Sequence, residues 1–354
     1  MQITKGDMKA MLKKRLALMG GIVLAVVCIT SALHADGKWN ILQKQDPEIR
    51  DYNGIAFISP KEGWVVGVSA MDMETPGFIG HTTDGGKTWT KVEVAIDKML
   101  SDVYFVDAKN GWTVGEGGKI VGTNDGGKSW EIQTSKVDNW LYGVHFINAK
   151  VGYAVGMPET ILQTTTGGKT WKAIRGGQAG AGIGDSETIV YNGVHFMDES
   201  TGWVTGVKIN PTTSSQNGII EKTIDGGKTW IDQPTNVEDI LKNIFFVDAS
   251  TGWVVGENGV VLHTENGGDT WKLQTSGTEE NILSVRFVNK NVGWAVGGAL
   301  GVSVVLYTTD GGSTWANQTL SKEVNKLPIN DVFAMDANHA WVTGGNGVVI
   351  EYSK

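Results

Sequence analysis

Thr123-Asn124-Asp125-Gly126-Gly127-Lys128-Ser129-Trp130 decides the fold, because the chain repeats its pattern. Six segments read Thr-x-x-Gly-Gly-x-Thr/Ser-Trp, at 82–89, 123–130, 164–171, 223–230, 264–271 and 308–315. Four carry aspartate at the third position (Asp84, Asp125, Asp225, Asp310), and the others have Thr166 and Asn266. Upstream of each lies Gly-Trp-x-x-Gly, as at 63–67 and 111–115, with Tyr153 as a local substitution, and a seventh copy at 340–344 begins with Ala340. Before that comes a short β-forming run such as Val103-Tyr104-Phe105, Val144-His145-Phe146 or Val285-Arg286-Phe287.

Each period therefore holds four short strand candidates, and successive turn tryptophans such as Trp89, Trp130 and Trp171 are 41 residues apart. That is the size of one four-stranded propeller blade. Runs rich in Val, Ile, Thr and Trp, broken by glycine, argue against a helical repeat. Gly-Trp-x-x-Gly and its variants occur seven times, but the Asp-type turn follows only six of them. The seventh copy ends in Gly347-Val348-Val349-Ile350 without an outer strand, and Asp36-Gly37-Lys38-Trp39 resembles the missing piece. The expectation is an all-β, seven-bladed propeller over 36–354, its ring closed by an N-terminal strand, which removes exposed sheet edges. Its blades span approximately 54–95, 102–135, 143–175, 193–233, 243–275, 284–318, and 331–354 with 37–43.

Residues 1–35 read as a targeting segment. Lys13, Lys14 and Arg15 precede an uncharged apolar run over 16–29, and small residues lead to Ala35, the pattern of a secretory signal. The run is short for a membrane span, which needs about 20 residues. An uncleaved anchor and lipid attachment at Cys28 are the alternatives, Val27 arguing against the second. Cys28 is the sole cysteine, so the rest of the chain forms no disulfide. The segment carries five basic residues and one acidic, so the remainder is more acidic than the net −8 of the whole chain. That excludes nucleic acid as the expected partner and makes an anionic lipid surface a poor one. The expected location is periplasmic or otherwise extracytoplasmic.

The aspartates of the turn read as structural. One carboxylate per turn is too few for the six to eight oxygens of calcium, whereas an aspartate there accepts hydrogen bonds from its own turn. The turn tryptophan is expected to wedge between blades. No metal and no cofactor is expected.

Thr-x-Asp-x-Gly-x-Thr-Trp resembles the Asp-box of sialidase-like propellers. With Gly-Trp-x-x-Gly and the 41-residue step, residues 38–354 are most similar to the photosystem II assembly and stability factor family of cyanobacteria and chloroplasts. The resemblance implies a lumenal or periplasmic scaffold that holds a newly made membrane protein without catalysis. It also implies an arginine-rich patch, whereas beyond residue 35 this chain has only Arg50, Arg175 and Arg286, in different blades. The partner expected is a protein, a membrane protein or membrane complex, bound by a monomer; a glycan is the alternative.

Sialidases of similar fold grip a carboxylate with three arginines, so an enzyme would require those three to converge. Arg50 reads as a loop residue, and Arg175 follows an outer strand. A two-carboxylate glycosidase would show an axial pocket with a facing acid pair. His145 and His195 occupy the same place in successive inner strands, where Tyr104, Phe245 and Arg286 stand elsewhere, so packing is the expectation and a metal pair the alternative.

Three insertions interrupt the spacing, at 68–77, 176–191 and 207–218. All fall in loops of one face, where a rigid scaffold carries variable function. The candidate partner-binding residues on that face are Trp140, Tyr142, Tyr191, Lys208, Glu257 and Arg286, with Met71 and Met73 as an adaptable apolar edge. Trp140 belongs to neither tryptophan series and reads as a loop anchor.

Overall fold

A computed structural model describes residues 37–48, 50–69, 76–177 and 187–354. The targeting segment with Cys28, the Met71 and Met73 edge, and most of the 176–191 insertion lie outside the described residues. The described chain forms seven antiparallel four-stranded sheets. Six take their strands in sequence order, as in blade 2: Leu100–Phe105, Gly111–Gly115, Ile120–Thr123 and Glu131–Gln133. The seventh is built from Ile329–Asp336, His339–Gly344, Val349–Ser353 and, as its outer strand, Lys38–Gln43 from the other end of the chain. Trp39 pairs with Tyr352 and Ile41 with Ile350, so the ring closes as the sequence predicts. Asp46, buried behind this clasp, accepts from the Arg50 guanidinium at 2.9 and 2.8 Å and from the Tyr52 hydroxyl at 2.6 Å.

The repeat tryptophans are the mortar between blades. Trp112 of blade 2 stacks on Phe146 of blade 3 with centroids 3.4 Å apart, and its indole N–H donates to the Gly167 carbonyl in the Asp-type turn of that blade. Trp203 repeats this on Phe246 and Gly267, and Trp253 on Phe287 and Gly311. The turn tryptophan meets the same phenylalanine edge-on, as Trp171 does Phe146 at 89°, and its N–H reaches Gln133 of the preceding blade. Such aromatic pairs add about 0.5–1.5 kcal/mol each beyond the area they bury. Gly-Trp-x-x-Gly follows from this packing. A Cβ on Gly111 would sit 2.6 Å from the Phe105 ring of its own blade, and one on Gly115 would collide with the Met99 carbonyl.

The aspartates fasten their turns. Asp125 accepts from the Thr123 hydroxyl (2.9 Å), the Ser129 N–H (3.0 Å) and the Ser129 hydroxyl (2.6 Å). Asp84, Asp225 and Asp310 do the same. Asn266 and Thr166 each accept the equivalent backbone bond, from Thr270 and Thr170, so the turn needs an oxygen there and not a charge.

Every inner strand carries a β-bulge, at Asn53, Ser101, Tyr142, Asn192, Lys242, Leu283 and Asn330. Bulges re-aim side chains and let a strand continue past a broken register. The inner strands therefore begin earlier than the blade boundaries read from sequence. Arg50 and Trp140, expected in loops, open the strands Arg50–Phe57 and Trp140–Phe146. Likewise 207–218 is no loop: strands Gly202–Asn210 and Ser215–Thr223 extend the blade 4 hairpin as far as the Asn210–Ser215 pair.

Candidate functional site

Seven bulges at one level put seven side chains around the axis on the face carrying the inter-blade connections. Below them the inner strands contribute Gly54, Asp102, Gly143, Gly193, Asn243, Ser284 and Asp331, and below those Ala56, Tyr104, His145, His195, Phe245, Arg286 and Phe333. The second set forms an arc of touching rings. Tyr104 lies 4.7 Å from His145, His145 4.5 Å from His195, His195 5.2 Å from Phe245, and the Arg286 guanidinium 5.2 Å above Phe245. Between bulges and arc is an axial well of about 130 Å³, with Tyr104, His145, His195 and Arg286 at its base.

Its walls hold two acids that double as ties between blades. Asp102 accepts from Val103 N–H (2.8 Å) and from Val144 N–H of the next blade (2.9 Å). Asp331 accepts from the Ser284 hydroxyl (2.6 Å), from Val332 N–H (2.8 Å) and, across the closure, from Ile55 N–H (3.0 Å). Burial, reinforced by the charge of Asp331, pushes the Asp102 carboxyl up to about 7; Asp331 is raised by burial as well. Burial holds His145 down to about 3 and His195 well below its usual value, the Arg286 charge adding to both, so the rings are neutral. Burial raises the Tyr104 hydroxyl, which stays protonated.

The candidate residues divide. Tyr142 and Arg286 line the well. Trp140 stacks on Tyr142 at 5.6 Å and donates to the Ser101 hydroxyl at 3.1 Å, forming a half-buried aromatic shelf at the mouth. Glu257 belongs to blade 5, where it pairs at 2.8 Å with the bulge residue Lys242. Lys208 sits on the extended blade 4 hairpin, paired with Glu187 at 2.8 Å. Tyr191 offers no surface: it is 0 % exposed, and its hydroxyl donates to Glu221 at 2.6 Å, which Arg175 also holds at 2.8 Å. It takes the position that is leucine in blade 2, and its phenol fills the core while its hydroxyl finds a buried carboxylate. His145 and His195 stack on each other and their neighbours, as packing predicts.

Sequence reasoning missed Lys242 and Asn243, and it missed Leu300, which is 92 % exposed at the tip of the blade 6 hairpin on the same face. The arginines expected of a sialidase do not converge. Arg50 is committed to Asp46 and Arg175 to Glu159 and Glu221. The acid pair is in the axial well, as a glycosidase would have it, but about 130 Å³ is well below the several hundred Å³ that enclose a sugar-sized ligand.

Fold and site together define a seven-bladed Asp-box propeller with a narrow polar well and an aromatic shelf at its mouth. The sequence model of the family described as Photosynthesis system II assembly factor YCF48 matches residues 85–179, 184–276 and 270–353, and the chain belongs to that family. A solved structure described as YCF48 bound to D1 peptide is 20 % identical, with a TM-score of 0.66 over 89 % of this chain and 97 % of that one. YCF48 from Cyanidioschyzon merolae is 21 % identical, with a TM-score of 0.65 over 89 % and 98 %. The WD40 propeller domain of Doa1 reaches 0.66 at 10 % identity, over 90 % and 97 %, so these likenesses speak for the fold alone. No curated protein matches the chain.

Proposed function

We propose that this protein is an exported, non-catalytic scaffold that holds a membrane protein while its complex is assembled, using the face around the axial mouth. The observation that carries this reading is membership of an assembly-factor family across most of the blades. The relative described as bound to a D1 peptide supports a protein client. The face offers what protein recognition uses: the Trp140–Tyr142 shelf, the protruding Leu300, and a surround that includes four ion pairs. Those pairs are Lys98–Glu116, Lys119–Asp97, Lys242–Glu257 and Lys208–Glu187. Aromatic anchors within a polar rim are the usual anatomy of a binding hot spot. The basic, apolar and small-residue order of 1–35 supports export.

The test is crosslinking of the protein in its native membranes, then affinity capture and mass spectrometry. One membrane complex should be recovered with the wild type and lost with Trp140→Ala combined with Leu300→Glu. Recovery unchanged by that pair would remove this face from the account, and recovery of no protein would remove the scaffold.

A further inference from the structure

The floor of the well has unmet hydrogen-bonding capacity, with the guanidinium of Arg286 as its one permanently charged donor. Arg286 is the one arginine among the described residues without a carboxylate partner; it makes neither a hydrogen bond nor an ion pair, only the contact with the Phe245 face. The Tyr104 hydroxyl has no partner. His195 is 7 % exposed and neither ring nitrogen is hydrogen-bonded. The Asp102 and Asp331 oxygens, by contrast, already accept backbone or hydroxyl protons. A guanidinium presents donors in a planar fork that matches a carboxylate. That of Arg286 is half-buried and open to the well, and its charge partly offsets the effect of burial on Asp331 and Asp102 without a direct contact to either.

We propose that the axial well is a binding site for a carboxylate, held by the Arg286 guanidinium with the Tyr104 hydroxyl and the His195 ring N–H as further donors. A well of about 130 Å³ accommodates the carboxylate end of a ligand and little more. The group belongs either to a free small acid or to an acidic residue of a docked chain. It goes beyond the scaffold reading, which requires no ligand in the well.

The charged and titratable groups facing this site are Arg286, Asp102, Asp331, Tyr104, His145 and His195, with the Lys242–Glu257 pair at the rim. The histidines are neutral, so the response to pH comes from the acids. A bound anion favours protonated Asp102, so affinity falls as pH rises through about 7.

The experiment is titration of the full chain with ¹³C-acetate, followed by NMR line broadening at pH 6 and pH 8. Wild type should bind at pH 6 and about fivefold more weakly at pH 8, within the roughly tenfold limit that one linked proton shifted by about one unit sets. Arg286→Gln should abolish binding. Tyr104→Phe, which keeps the ring packing, should weaken it several-fold and serves where the arginine variant fails to fold. Acetyl-Ala-Ala-Glu-amide presents the same group on a chain: tighter binding than acetate assigns the site to a docked partner, and acetate binding alone assigns it to a free acid. Acetate binding unaffected by Arg286→Gln overturns the proposal, as does binding of methylammonium in place of acetate.

Discussion

Ala334 and Ala340 face each other across the two inner strands of blade 7, at the register where every other blade sets phenylalanine against glycine. In blade 2 the pair is Phe105 and Gly111, and a Cβ on that glycine would lie 2.6 Å from the ring. The two positions change together because they share one space. With no phenylalanine at 334, Trp294 of blade 6 packs instead against Tyr307 and Tyr352, at 5.3 and 5.6 Å.

Gly111→Ala should therefore destabilise the protein by about 1–3 kcal/mol, the usual cost of overpacking a core. The double variant Gly111→Ala with Phe105→Ala, which copies blade 7, should lose less than the two single losses combined. Denaturant melting of the four proteins in a double-mutant cycle measures the coupling. Simple additivity would mean the two side chains do not compete.

Asp310→Asn should cost less than Asp310→Ala. Asn266 already holds the equivalent turn by accepting from Thr270 N–H at 3.0 Å, so an oxygen suffices. The alanine variant loses the bonds to Thr308 and Thr314 and should fall by about 1 kcal/mol, as when a capping side chain is removed. Thermal melting of both variants at neutral pH decides the order.

Tyr191 and Glu221 are buried together beneath the half-buried Arg175, and burial raises the Glu221 carboxyl despite its partners. Arg175→Met leaves that carboxylate without its cation and should cost about 3 kcal/mol. Adding Glu221→Gln should recover part of the loss, and equilibrium unfolding of the single and double variants measures it.

Stability should pass through a maximum near pH 4–5. The Asp84, Asp125, Asp225 and Asp310 carboxyls sit below their usual range, Asp125 and Asp225 at about 2, through bonds to their own turns. Their contribution is present above the unfolded carboxylate range and is lost as pH falls towards about 2. Asp102, raised to about 7 by burial, has the opposite sign: stability falls as pH rises from about 4 to about 7. Asp331, also raised, adds to that fall. Melting temperatures across pH 2–8 test both limbs, and Asp102→Asn should flatten the upper one.

The repeat made the blades, their number and the clasp legible, because each motif residue has a packing duty repeated around the ring. Asp125, Trp112 and Gly111 could be read without a structure. The bulges could not, since Ser101, Tyr142, Lys242 and Leu283 stand where Asn53, Asn192 and Asn330 each donate to a backbone carbonyl of the neighbouring blade, so no single residue type marks the position. They were nonetheless decisive, for they aim the residues that line the well. Tyr191 looked like a contact residue because its partner Glu221 lies two strands further along the chain. The equivalence of His145, His195 and Arg286 was visible in the alignment of strands; that Arg286, alone among the described arginines, would make no ion pair was not, because it depends on where Asp46 and Glu221 fall.

On the proposed function, the face around the axial mouth meets a membrane protein. A photo-crosslinking amino acid placed at Trp140, and separately at Lys128 on the opposite, Asp-turn face, tests it most directly in native membranes. An adduct with one integral membrane protein is expected from position 140 and none from position 128. Equal adducts from both positions, or adducts from position 128 alone, would contradict it.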